Sequence, residues 1–167
     1  MTRGILEVLL IAGCDLKKAH FFGKRNPFVI IKYGYHSRTS KIAQGKGPHS
    51  RRKRVWDETF TFDVEYPDAE LKKDHELKIS FTVMERSHSC CFIKDTFIGE
   101  ATVYIKDVLS LGEEVGKAAI RPTEYRVVLS NKVYHGEIRV AVSFRKVEDE
   151  EDQDVEDGKK VQSLINE

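Results

Sequence analysis

The side chains with the clearest chemical potential are clustered cations and loop apolars, not nucleophiles. Lys46, His49, Arg51, Arg52, Lys53 and Arg54 crowd into the stretch before Trp56. Four consecutive cations at a loop tip form a polyanion-binding device, each worth ~1 kcal/mol near an anionic leaflet. The bland alternative is a solvated charge run or an import-type signal. Two apolar clusters interrupt polar connecting segments: Phe21-Phe22, between His20 and Gly23, and Cys90-Cys91-Phe92-Ile93. Side chains of this kind can enter the headgroup–acyl boundary while neighbouring cations hold phosphates. Their ordinary role would be to fold back and cap the core. His20, His49, His88, Cys90 and Cys91 are of the types that hold zinc or copper, but their spacing matches no chelate. Cys90 and Cys91 are also candidates for palmitoylation. There is no G-x-S-x-G, P-loop or paired-histidine zincin motif. An enzyme is therefore not expected.

The elements that must position these residues read as strands. The runs are Ile5–Ile11, Pro27–Gly34, Arg38–Ile42, Glu58–Val64, Leu77–Val83, Phe97–Ile105, Tyr125–Leu129 and Gly136–Phe144. Phe60, Phe62 and Val64 share one face by the period of two, and Leu77–Val83 alternates equally well. Eight strands separated by turn signals predict an all-β, eight-stranded antiparallel β-sandwich. Lys106–Gly116 is the one expected helix, short and ending at a glycine. Residues 148–157 hold eight acids in ten, which predicts a disordered acidic tail over 147–167 behind a folded domain over 1–146.

Three segments carry a family likeness: Gly23-Lys24-Arg25-Asn26-Pro27-Phe28-Val29, Val55-Trp56-Asp57-Glu58-Thr59-Phe60 and Asp95-Thr96-Phe97-Ile98-Gly99-Glu100-Ala101. In this order they resemble the C2 domain pattern, with the first loop directly after the first strand, as in the type II topology. Asp107–Gly112, Tyr125–Leu129 and Tyr134–Ile138 resemble in particular the small plant single-C2 proteins of the elicitor-responsive and 16 kDa phloem type. The resemblance covers about residues 3–146. It implies a lipid-binding sandwich that works through the loops at one end, in a setting of defence signalling or phloem trafficking.

The resemblance also supplies a test for calcium. A calcium-dependent C2 domain gathers about five carboxylates, because a hard divalent ion wants 6–8 oxygens. At the matching positions this chain has His20, Asn26, Glu85, Ser87 and Asp95, of which only Glu85 and Asp95 are anionic. Arg25, Arg86 and Lys94 stand close by in sequence and oppose a cation. The expectation is no calcium at cytosolic levels and no other cofactor. One weakly held ion on Glu85, Asp95 and backbone carbonyls is the alternative.

Charge distribution points the same way. The net charge of +1 hides a 1–146 segment with 26 basic and 18 acidic residues, +8, and a 147–167 segment with 2 and 9, −7. The expected partner is an anionic phospholipid membrane, met without calcium through Phe21, Phe22, Lys24, Arg25, Arg51, Arg52, Lys53, Arg54, Arg86, Cys91, Phe92, Ile93 and Lys94. RNA and a protein partner are alternatives. No aromatic platform for single strands is evident, which counts against RNA. A phosphoinositide site on Lys32, Arg38 and Lys41 is weaker than an ordinary solvated strand face. An odd cysteine count and no apolar run near the ~18 residues of a membrane span suit a reducing compartment. The chain is thus expected to be a cytoplasmic monomer that visits the plasma membrane reversibly. The acidic tail could screen the basic rim from within the molecule.

Overall fold

The computed structural model describes residues 2–19, 25–45, 52–66, 77–87 and 94–148. The strands are β1 (Thr2–Cys14), β2 (Pro27–Tyr33), β3 (His36–Thr39), β4 (Gln44–Gly45), β5 (Lys53–Tyr66), β6 (Lys78–Glu85), β7 (Thr96–Tyr104), β8 (Lys117–Val128) and β9 (Tyr134–Lys146); α1 (Lys106–Val115) lies between β7 and β8. They follow one another across a curled antiparallel sheet in the order β3-β2-β6-β7-β8-β9-β1-β5-β4. The curl lets inward-facing rows from opposite parts of the sheet close on one core. Leu6, Val8 and Leu10 of β1 meet Phe62 and Val64 of β5, Ile79, Phe81 and Val83 of β6, and Ile138, Val140 and Val142 of β9, all buried. Each such side chain withdrawn from water contributes ~1.5–3 kcal/mol before the entropy of ordering is counted.

The alternation read from sequence explains which residues face inward, and the structure lengthens several strands. Among the described residues the count is nine rather than the expected eight, because the chain between β2 and β5 forms two short strands, β3 and β4. The run expected at Arg38–Ile42 begins earlier, at His36, and ends at Thr39. Ser40, just beyond the strand, keeps an amide bond to the Val29 carbonyl at 2.9 Å and turns its side chain inward. Its hydroxyl accepts from the Val29 amide at 2.8 Å and donates to the Lys41 carbonyl at 2.8 Å. β8 begins at Lys117, well before the expected Tyr125. The Arg121-Pro122 step hid it: proline offers no amide to a ladder, and here the register with β9 shifts between Ile120 and Thr123. The helix runs over Lys106–Val115 and closes on Gly116 at φ 90°, whose amide donates to the Gly112 carbonyl. That left-handed cap favours glycine because it has no Cβ to clash.

Among the described residues, no helix is long and apolar enough to cross a membrane. The acidic run 149–167 lies outside them.

Candidate functional site

One end of the sandwich gathers the segments singled out by sequence. β1 leaves there at Cys14, β2 enters at Pro27, β5 enters at Lys53, β6 leaves at Glu85 and β7 enters at Thr96. His20, Phe21, Phe22, Lys24, Arg51, Cys91, Phe92 and Ile93 lie outside the described residues, as do His49, His88 and Cys90. Arg25, Asn26, Arg52, Lys53, Arg54, Glu85, Arg86, Ser87, Lys94 and Asp95 are described and come together at this end.

Glu85 is the centre of the arrangement. It extends the inward row Ile79, Phe81, Val83 of β6, so the period that buries those apolars also buries a carboxylate, at 3% exposure. Its Oε1 accepts from the Asn26 amide at 2.7 Å, and the Arg86 amide donates back to the Asn26 carbonyl at 3.0 Å. Its Oε2 is buried without a hydrogen-bond partner. Asp95 is engaged as well: its Oδ1 accepts from the Ser87 amide at 3.1 Å.

Arg25 turns into the site. Its Nη2 donates to the Leu16 and Lys17 carbonyls, each at 2.9 Å, binding the start of β2 to the loop that follows β1. Burial lowers its pKa from the ordinary arginine range; the Glu85 charge opposes that shift and Arg54 adds to it. Arg54 shares the inward face of Trp56, half-buried, with its Nε hidden and without a partner. Trp56 is 8% exposed and packs against Gly13.

The basic run therefore divides. The sequence suggested four cations at a loop tip; Lys53 and Arg54 instead belong to β5, paired with Cys14 and Gly13. The strand was hidden because Lys53 and Arg54 continue a charged run with no apolar alternation. Arg52 stays exposed in the turn. Its carbonyl accepts from the Asp15 amide at 2.9 Å, and its Nε stands 4.0 Å from the Asp15 carboxylate. A pair so open to water contributes little. Around the buried Glu85 and the half-buried Arg25 and Arg54 lies an exposed rim: Arg52, Lys53, Lys94, and Arg86, whose guanidinium stacks 4.9 Å from the centre of the Phe28 ring.

Sequence reasoning missed a neighbour of this rim. The β8–β9 turn exposes Val133 at 54% and Tyr134 at 62%, beside Lys132. Gly136, at φ 80°, brings the turn so close to β1 that an added Cβ would sit 2.7 Å from the Asp15 carbonyl oxygen. Arg126 lies over the Tyr134 ring at 5.5 Å, and a cleft of about 260 Å³ opens between Asp15, Arg126, Tyr134 and Glu137. The available signal was the apolar pair Val133-Tyr134 directly after a Ser-Asn-Lys turn.

Lys32 and Arg38 do not form one patch. Lys32 pairs with Ser37 and Arg38 with Ile31, so they leave opposite faces of the sheet, and Arg38 reaches over Phe62 at 5.3 Å. The larger cleft, about 490 Å³ and lined by Ile5, Lys117, Ala118, Phe144 and Arg145, lies toward the other end. Among the described residues, no group of three or more His, Cys, Asp or Glu side chains is placed to hold a metal.

Comparison with known proteins agrees with this architecture. The family model described as C2 domain matches residues 4–120. The chain is 37% identical to 16 kDa phloem protein 1 of Arabidopsis thaliana, covering 89% of each chain, and 36% identical to elicitor-responsive protein 1 of Oryza sativa subsp. japonica, covering 84% of each. Among solved structures it superposes on a C2 domain-containing protein from a putative elicitor-responsive gene, with TM-score 0.62, 26% identity, and 90% and 94% of the two chains covered. A C2 domain of plant extended synaptotagmin 1 shares the fold, with TM-score 0.61, 17% identity, and 89% and 99% covered. A curled antiparallel sheet whose loop-bearing end carries the family's sequence anchors, matched by model, relatives and fold alike, makes this chain a member of the C2 domain family.

Proposed function

We propose that this C2 domain docks on anionic phospholipid membranes without calcium and serves as a signalling or trafficking adaptor. The observation that carries the reading is the ring of exposed cations, Arg52, Lys53, Arg86 and Lys94, around a site whose carboxylates already accept amide hydrogens. In a calcium-dependent domain the metal supplies positive charge at the lipid surface. Here arginine and lysine supply it permanently, at ~1 kcal/mol for each cation near an anionic leaflet. Val133 and Tyr134 extend the footprint: an aliphatic and an amphipathic aromatic side chain, flanked by Lys132 and Arg126, suit the interfacial region. No catalytic role is part of this reading. The protein is proposed to work as a cytoplasmic monomer that reaches the plasma membrane reversibly. The names of its relatives, phloem and elicitor-responsive proteins, support a plant transport or defence setting.

The test is sedimentation with vesicles of neutral or anionic composition, in chelator or calcium, with RNA as competitor. The proposal expects pelleting with anionic vesicles in chelator. Binding to RNA but to no vesicle would replace it with an RNA-transport function.

A further inference from the structure

We propose that the Arg25 guanidinium is a resident cation at this end of the sandwich, holding the Leu16 and Lys17 carbonyls beside Glu85 with a charge that stands where a calcium ion's would. The inference rests on the calcium-independent part of the reading above and gives it a structural cause.

Even the weakest calcium site at this end would need the Glu85 and Asp95 carboxylates together with loop carbonyls. Several of these donors are already engaged. The Leu16 and Lys17 carbonyls accept from Arg25 Nη2 at 2.9 Å. Glu85 Oε1 accepts from the Asn26 amide and Asp95 Oδ1 from the Ser87 amide. Glu85 Oε2 is buried and without a hydrogen-bond partner. A calcium ion wants 6–8 oxygens, and two carboxylates that each already accept an amide hydrogen, beside an arginine, fit it poorly.

The guanidinium does fit. It is planar, permanently charged and weakly hydrated, with several donors fixed in a fork, and is therefore suited to bridge carbonyls in a half-buried site. Its charge lies close enough to Glu85 for the carboxylate to act on it. Burial of a lone carboxylate would otherwise be costly, and a nearby cation compensates it. Arg54 stands near Arg25 and adds a second positive charge against any incoming metal. Arg25 thus links the loop after β1 to the entry of β2, a link that a calcium-dependent domain obtains from metal.

Terbium tests this. It is a hard trivalent stand-in for calcium, and its emission can be sensitised by Trp56, the sole tryptophan, which packs against Gly13 near the loop carbonyls. The full chain is titrated as wild type, as Arg25→Ala, and as Arg25→Ala with Glu85→Gln. Terbium held by the acidic run 148–157 is common to all three and cancels in the comparison. The expected result is sensitised, saturable binding to Arg25→Ala at least about tenfold tighter than to wild type, with the gain abolished by Glu85→Gln. Equal affinity in wild type and Arg25→Ala, or a gain that survives Glu85→Gln, would overturn the proposal. If near-ultraviolet dichroism shows that Arg25→Ala does not fold, Arg25→Met keeps most of the stem without the charge and gives the same readout. The titration contains no lipid, so a failure of vesicle binding leaves its outcome standing.

Discussion

Glu85 and Arg25 do opposite work with their charges, and each can be tested alone. Replacing Glu85 by Ala leaves the Asn26 amide without its acceptor and Arg25 without its compensating charge. We expect a loss of ~1–3 kcal/mol, the usual penalty of an orphaned buried polar group, measured by urea unfolding. Cys14 gives a second test at the same end. Partial burial raises its thiol pKa first, the neighbouring Asp15 carboxylate adds to the rise, and the Sγ–H donates to Asp15 Oδ2 at 3.6 Å. A raised pKa means less thiolate at mildly alkaline pH. With Cys90 and Cys91 replaced by Ser, Cys14 should alkylate more slowly there than a cysteine in an unstructured peptide, and the gap should narrow as pH rises. An equal rate at every pH would contradict this. The partners of Arg25 were not legible in the sequence. Its spacing from Leu16 and Lys17 follows no local rule, because a loop return brings their carbonyls to it.

The strands with clean alternation were legible because each buried row repeats every second residue, as in β5, β6 and β9. Phe62, 1% exposed, lies where β5 packs on the rest of the core. Phe62→Ala should cost ~3–5 kcal/mol in denaturant unfolding, far more than an exposed change such as Thr61→Ala. The helix was legible from its terminal glycine, and Gly116→Ala should lose about 1 kcal/mol from the left-handed cap. Illegible were the elements whose local composition opposes their fate. Arg121-Pro122 masked the first half of β8, and the cations Lys53 and Arg54 masked the start of β5. In both places pairing with a long central neighbour overrides local preference.

Across the whole molecule, a net charge of +1 conceals the separation of a basic segment from an acidic one, and the fold then concentrates cations on one rim. Vesicle affinity should therefore fall steeply as salt rises, since only charges within the ~8 Å Debye length act at physiological ionic strength. Neutralising Arg52, Lys53, Arg86 and Lys94 together should remove most of that salt dependence along with most of the binding, while leaving the melting temperature close to wild type. The most direct measurement is co-sedimentation of the full chain with anionic vesicles at physiological salt in the presence of chelator. The account predicts that the protein pellets with anionic vesicles, stays in solution with neutral ones, and is unaffected when calcium replaces the chelator. Pelleting only when calcium is added would contradict it.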